Sequence, residues 1–526
     1  MDNIELIVFG LLLAIAGLAV LAGFLRVPYP VTLVAGGAVI GFLPGVPDVT
    51  LDPDIVLLIF LPPLLYGAAF FTSVRDLRRN AKPIAMLSIP LVLVTMGAVA
   101  LAAHEAVGLA WGPAFVLGAI VSPTDAVAPA EIMRRIGAPR RLITIVEGEN
   151  LTNDWTALVL YRFAVAAVVT GSFSLVEAVP KFLLTGVGGV AIGLVAGRII
   201  REVRSRLDDP PTEITISILS GYAAYLPAEQ LGLSGVIAAV TIGLYMGWHT
   251  PELTTPVMRL QGIAVWEILT FLLNAVLFLL VGLQLPGVLD RLSGHTGAEL
   301  VGWALLISAV VIGVRLLWMF LIPYAVAMAD REARDDVPRR APPAERLAVG
   351  WAGMRGSVSL AAALAIPLSI DAGGPFPDRG LIVFLTFAVI LVTLVGQGLT
   401  LGPLITFLRL HDDGVEQYEE QIARQRVAEA GLDRIDELGE PDWIGTDSIE
   451  RARNLLDYRR RRFGALVDGD GDGYEARADA WRRLMYDVYD AQRTQLVDLR
   501  NRGEISDEVR RKIERDLDLE ESRLEN

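Results

Sequence analysis

The chain has 526 residues, 53% of them hydrophobic, and a mean hydropathy of +0.49. That excludes an ordinary soluble domain, and the recurring apolar runs of about 20 residues predict a polytopic membrane protein. The net charge of −14 is uneven, with −11 on residues 411–526 and −3 on residues 1–410. The acidity belongs to a tail and argues against a nucleic-acid partner, and with no cysteine and four scattered histidines no disulfide, zinc cluster or cofactor is expected.

The first apolar run, Ile4–Leu25, has Asp2 and Glu5 at its start rather than a basic segment. It reads as a retained helix, not a signal peptide. Thirteen spans are predicted, at 3–25, 29–45, 52–71, 82–104, 111–134, 140–170, 175–203, 211–228, 231–248, 256–286, 297–328, 345–370 and 380–408. Arginines gather in alternate loops: Arg26, then Arg75, Arg78 and Arg79 with Lys82, then Arg134, Arg135, Arg140 and Arg141, then Arg198, Arg201, Arg204 and Arg206, then Arg331, Arg334, Arg339, Arg340 and Arg346. The loops between carry Asp48, Asp52, Asp54, Glu105, Glu229 and Asp290. The positive-inside rule then puts the N-terminus outside, the tail in the cytoplasm and the chain in the cell membrane.

The order fits an inverted repeat, with spans 1–6 and 8–13 as two six-helix halves and span 7 as connector. Span 5 is interrupted by Ser122-Pro123, and span 12, its partner position, by Gly353-Met354-Arg355-Gly356-Ser357. Paired interruptions at matching positions point to a transporter site made of broken helices. Glycine alone would say little, because Gly186, Gly188, Gly189, Gly193 and Gly197 in span 7 are better read as allowing close packing. After Arg409 the composition turns polar, so residues 1–409 are read as a membrane domain and 410–526 as a cytoplasmic helical domain. Helical patterns cover Gln417–Leu438, Ser448–Phe463 and Glu475–Arg502, with breaks expected at Pro441, Gly464 and Gly503. Asp468, Asp470, Asp472 and Asp479 match parts of a calcium loop, but Ala476 and Asp479 depart from it at its ninth and twelfth positions. A solvated acidic turn between helices is the preferred reading, with calcium binding as the alternative.

The candidate site lies in spans 5 and 6. Asp125 is roughly 21 Å from the outer start of span 5, and Asp154 roughly 21 Å from the cytoplasmic start of span 6. Both therefore reach the middle of a bilayer about 40–45 Å thick with its headgroups. A carboxylate at that depth costs several kcal/mol and is rarely there without function. Asn150, Asn153 and Asp154 are spaced i, i+3, i+4 and share a helix face that offers only oxygen ligands. The break at Pro123 frees carbonyls near Ser122 and Thr124. Such an oxygen set suits a hard monovalent cation. Two carboxylates sharing one buried site can exchange a proton for a cation, and competition for the same oxygens couples the two fluxes. Glu149 and Arg355, about 14 and 15 Å from the cytoplasmic ends of spans 6 and 12, are expected to form a buried structural ion pair.

The runs Ser122-Pro-Thr-Asp125-Ala-Val and Glu147-Gly-Glu-Asn-Leu-Thr-Asn153-Asp154, with Gly353-Met-Arg355-Gly, resemble the sodium/proton exchangers of the NhaP/NHE type over residues 1–410. The resemblance implies a homodimer of thirteen-helix protomers, each with a six-helix core moving against a dimerisation domain. It implies that Asp154 carries the cation (Na+) or the proton, that Asn153 supports it, that Asp125 and the Thr124 backbone complete the site, and that Glu149 pairs with Arg355. Two departures bear on the choice of ion. Asn150 stands where the family often has serine, and Leu61-Pro62-Pro63-Leu64-Leu65-Tyr66-Gly67 lacks the acidic residue several members carry there. Asn153 in place of a second aspartate resembles the electroneutral branch. The expected function is antiport of Na+, with K+ or Li+ possible, against H+. The alternatives are a K+/H+ antiporter and a cation channel. An enzyme is disfavoured, because Ser122 and Ser357 have no histidine or lysine at matching depth.

Overall fold

The computed structural model describes residues 4–524 other than 26, 45–52, 173–174, 291, 293, 330–341, 413, 440–442, 470–471 and 523. Arg26, Asp48, Asp52, Arg331, Arg334, Arg339 and Arg340 of the charged loops lie outside the described residues, as do Pro441 and Asp470. The described residues are helical throughout, apart from turns and one isolated bridge between Ser369 and Pro375. The chain divides into two compact units, Met1–His411 and Asp412–Asn526.

The first unit is a stack of apolar helices with recognisable ends. Ser73, Asp209, Ser234 and Thr255 each accept a hydrogen bond from the amide three residues on, which satisfies one of the free donors of a first turn. Proline occupies the first turn of the helices starting at Pro210, Pro256 and Pro343, where its missing N–H costs nothing. Among the described residues, five helices are long and apolar enough to cross a membrane: Ala81–Val107, Val179–Arg204, Pro256–Gly287, Gly297–Ile322 and Arg379–Phe407. The two spans expected to be interrupted, at 111–134 and 345–370, are pairs of short helices, Trp111–Val121 with Val127–Ile136 and Pro343–Trp351 with Ser357–Leu364. The helix Arg140–Thr170 runs unbroken for 31 residues and holds Glu147, Glu149 and Asp154.

These helices fall into two packing groups. Ile4–Leu25, Tyr29–Gly41, Pro53–Phe70, Leu175–Arg204, Pro210–Gln230, Gly235–Leu253 and Pro256–Leu283 pack chiefly on one another. The helices between Ala81 and Thr170 and between Gly297 and Phe407 form the other group. In the first group the glycines of Leu175–Arg204 do serve close packing: a Cβ on Gly193 would stand 2.7 Å from the carbonyl oxygen of Ala238. Arg204, expected in a charged loop, is instead buried and paired with buried Glu213. Two large apolar clusters surround the paired helix breaks, the second of which also draws on helices of the first group. One gathers Val99, Leu117, Ile120, Ile307 and Ile382. The other gathers Met133, Leu142, Phe278, Val349 and Ile390.

The second unit contains the helices Val415–Leu438, Thr446–Val467, Asp472–Asn501 and Asp507–Ser522. The first two pack together, as do the last two. Phe463 is buried under the guanidinium groups of Arg424 and Arg462, each 5.4 Å from its ring centre. Gly464 does not break a helix as expected. It continues Thr446–Val467, because an interior glycine costs only about 1 kcal/mol and packing overrides it. The chain turns at Gly503, whose φ of 74° is the left-handed conformation that glycine tolerates. Thr446–Val467 ends at Asp468. Asp472 already begins a helix where a calcium loop would still be irregular, and Asp479 is exposed and paired with Arg482.

Candidate functional site

The two breaks meet. Trp111–Val121 ends at Ser122 and the next helix starts at Val127; Pro343–Trp351 ends at Ala352 and the next starts at Ser357. Between them the Asp125 amide donates to the Met354 carbonyl at 2.8 Å. The Arg355 Nε donates to the Val121 carbonyl at 3.0 Å, and its Nη1 to the Gly353 carbonyl. The Arg355 amide is in turn held by Thr393 Oγ1 at 3.1 Å. Proline in the first break and glycines in the second make this crossing possible, since each break leaves backbone groups that the other chain segment can use.

Four half-helix ends therefore converge, and each charge present suits the end it faces. Asp125 Oδ1 accepts from the Val127 amide at 2.8 Å and so caps the start of Val127–Ile136. Its carboxylate also lies against Gly356, at the start of Ser357–Leu364: a Cβ on Gly356 would overlap it. Arg355 takes the last carbonyl of Trp111–Val121. Arg315 takes the carbonyls of Gly350 at 3.1 Å and Val349 at 3.0 Å, in the last turn of Pro343–Trp351. Negative charge at helix starts and positive charge at helix ends each stabilise by up to about 2 kcal/mol in partly buried settings.

A chain of hydrogen bonds runs from this crossing into Arg140–Thr170. Asn153 Nδ2 donates to Thr124 Oγ1 at 2.8 Å, and Thr124 Oγ1 donates to Glu149 Oε1 at 3.1 Å. Glu149 is gripped by Arg315 through both oxygens, Nη2 lying 2.8 Å from Oε2. Glu149, Arg315 and Arg355 are each 1% exposed. This corrects the expected pairing of Glu149 with Arg355: the direct partner is Arg315, and Arg355 spends its donors on backbone carbonyls. Glu149 still acts on Arg355 electrostatically. Depth along a span fixes a residue's height in the bilayer but not the direction in which it faces, so two arginines at similar height could not be told apart. Arg315 had a signal of its own, being a lone charge deep inside the apolar helix Gly297–Ile322.

Asp154 is 3% exposed, and no hydrogen bond to its carboxylate is found among the described residues. It interacts electrostatically with Asp125 and Glu149. The Asn153 Oδ1 is buried and has no hydrogen-bond partner. Beside the crossing there are thus two kinds of unused oxygen, one carboxylate and one amide carbonyl, while Glu149 is spoken for by Arg315. A buried carboxylate without a donor needs a proton or a cation to be stable there. Asn150 is half-buried and makes no side-chain hydrogen bond among the described residues. Its helical spacing from Asn153 and Asp154 is kept, but no contact ties it to them. No group of three or more metal-ligating side chains occurs among the described residues.

The tightness at Gly356 gives a first test. Gly356→Ala pushes a methyl group into the Asp125 carboxylate, and overpacking of this kind costs about 1–3 kcal/mol. The variant should melt earlier in detergent, and an unchanged melting temperature would mean that Asp125 and Gly356 are not packed this closely.

Residues 10–407 match the family described as "Sodium/hydrogen exchanger, transmembrane". An uncharacterised Na+/H+ exchanger of Mycobacterium tuberculosis is 37% identical over 98% of this chain and 97% of its own. A Bacillus subtilis protein named as a sodium, potassium, lithium and rubidium/H+ antiporter is 31% identical over 75% of this chain and 60% of its own. Among solved structures, the sodium proton antiporter MjNhaP1 from Methanocaldococcus jannaschii has the same fold, with a TM-score of 0.62 at 21% identity, covering 77% of this chain and 99% of that one.

Proposed function

The chain belongs to the sodium/hydrogen exchanger family, a family of cation/proton antiporters in the membrane, and from that premise we propose that it exchanges Na+ for H+ by alternating access at Asp154. The observation that carries this is the Asp154 carboxylate, buried beside a helix crossing with no hydrogen bond among the described residues. It holds a proton or a cation, but not both. Asp125, Asn153 through its free Oδ1, and Thr124 complete the cation's surroundings, with Asn150 as the outermost oxygen of the same helix. The Glu149–Arg315 pair and Arg355 hold the crossing together and take no part in binding.

One exchangeable carboxylate, with an amide at Asn153 rather than a second acid, makes the exchange one proton per cation and electroneutral. Sodium is the expected ion; a relative named for potassium and lithium as well makes K+/H+ antiport the second reading. The molecule is a homodimer of thirteen-span protomers with inverted six-helix repeats, set in the cell membrane with the N-terminus outside and the tail in the cytoplasm. A channel is less consistent with a site closed off by two charged, crossed helices. Proteoliposomes with an internal pH dye test this: Na+, Li+ and K+ gradients should each be compared, and the rate should saturate and ignore an imposed membrane potential. Flux that does not need an opposing proton gradient would overturn antiport.

Residues 410–526 form a regulatory or assembly domain. Every side chain assigned to binding lies before Arg355, so truncation after residue 412 should leave measurable exchange, with a shifted pH profile or a weaker dimer. A truncated protein that still runs as a folded dimer but exchanges nothing would make the tail part of the machinery. Calcium added to full-length and truncated protein in the same assay should change neither rate.

A further inference from the structure

Glu131 is a carboxylate that the site described above does not use. It stands on Val127–Ile136, four residues beyond Val127, which is about 6 Å along the half-helix from the amide that Asp125 caps. The residue is half-buried, and its Oε2 is buried with no hydrogen-bond partner. A buried acceptor left without a donor is unfavourable, so the fold alone gives no reason to keep it. On its own helix it interacts electrostatically with Arg135, one turn on.

From the opposite side comes Tyr29, at the start of Tyr29–Gly41. Its phenol is within electrostatic reach of Glu131 first and Asp125 second. Tyr29 belongs to the other packing group: its ring meets Phe271 edge-on, with centres 5.2 Å apart, and its helix lies along Pro256–Leu283. Glu131 and Tyr29 therefore span the seam between the two helix groups. Around them the seam is apolar, with Ala126, Val127, Ile132 and Met133 in one cluster with Tyr29. Tyr29 interacts electrostatically with both carboxylates, and along the chain Glu131 lies between Asp125 and the arginines Arg134 and Arg135 at the far end of the half-helix.

We propose that Glu131, assisted by the Tyr29 hydroxyl, is the station that draws the monovalent cation into the seam and passes it to Asp125 and Asp154. The assignment rests on the antiport reading above. A cation moving through an apolar seam faces a steep desolvation cost, and a carboxylate along the way lowers it and raises the local cation concentration. Such a residue sets how well the cation is captured from that side, not how fast the loaded site turns over. A structural carboxylate would do the reverse and change stability.

Everted membrane vesicles, which expose the cytoplasmic face, separate the two with Glu131→Gln, Glu131→Asp and Tyr29→Phe. Glu131→Gln should raise the KM for Na+ about five- to tenfold, the effect of roughly 1 kcal/mol of lost Coulomb attraction, with Vmax within about twofold of the parent. Glu131→Asp should restore most of the affinity, and Tyr29→Phe should show a smaller rise in KM. The melting temperature of Glu131→Gln should match the parent. An unchanged KM in Glu131→Gln overturns the proposal, and so does a loss of Vmax together with melting temperature that aspartate fails to rescue. The parent protein in the same vesicles keeps the two readings apart: an inactive parent sinks antiport, whereas an active parent equalled by Glu131→Gln sinks only the role of Glu131.

Discussion

Asp154→Asn should eliminate cation-driven proton movement in proteoliposomes while the protein still inserts, purifies and melts as a folded species. Asparagine keeps the shape and removes a buried charge that no hydrogen bond among the described residues satisfies. The fold does not need that charge. Burying an ionised carboxylate without a partner is unfavourable by several kcal/mol, so the change should leave stability unaltered or raised. Exchange should fall to the rate of empty liposomes, because the Asp125 carboxylate is tied to the Val127 amide and packed against Gly356 and does not replace a free carboxylate at position 154. Glu149 cannot substitute, since Arg315 occupies both of its oxygens. Normal sodium-driven proton movement in the purified variant would remove Asp154 from the mechanism.

The second large effect concerns stability. Removing either Glu149 or Arg315 leaves the other buried and uncompensated, at roughly 3–5 kcal/mol. Arg315 carries a further burden, because it also satisfies the last carbonyls of Pro343–Trp351. Glu149→Gln and Arg315→Gln should each lower the melting temperature in detergent strongly, with Arg315→Gln the worse of the two. The double variant should recover part of the loss, since it buries no unpaired charge. A double-mutant cycle reads this coupling directly. The same cycle with Arg355→Gln should show a much smaller coupling to Glu149. A larger coupling with Arg355 than with Arg315 would reverse the assignment made from the geometry.

Much of this arrangement is legible in the sequence, for identifiable reasons. Ser122-Pro123 and Gly353-Met354-Arg355-Gly356 announce breaks because proline and glycine interrupt an apolar run beside a charge, and the chain does break at both. Asp125 and Asp154 stand out because a carboxylate in an apolar segment is costly. The facing of side chains is another matter. Glu149 finds Arg315, on a helix 166 residues further along the chain, and hydropathy carries no information about which of two arginines turns towards it. The segment Val392–Gln397 winds as a π-helix, which has no sequence signature. It is this segment that offers Thr393 to the Arg355 amide. Arg204 was misplaced for the opposite reason. Charge clustering puts an arginine at a membrane edge, but Glu213 on the next helix lets it be buried. Glu131 does not stand out in the sequence, because a glutamate four residues before an arginine, here Arg135, has the pattern of an ordinary surface pair.

The central claim is that one group, Asp154, carries either the proton or the cation. Adding Na+ to the purified, weakly buffered protein in detergent tests it without any flux. Sodium binding should release about one proton per protomer, and a higher pH should weaken the release as protons leave beforehand. Asp154→Asn should bind no sodium and release no proton. Sodium binding without proton release in the parent protein, or the same release from Asp154→Asn, would contradict the account.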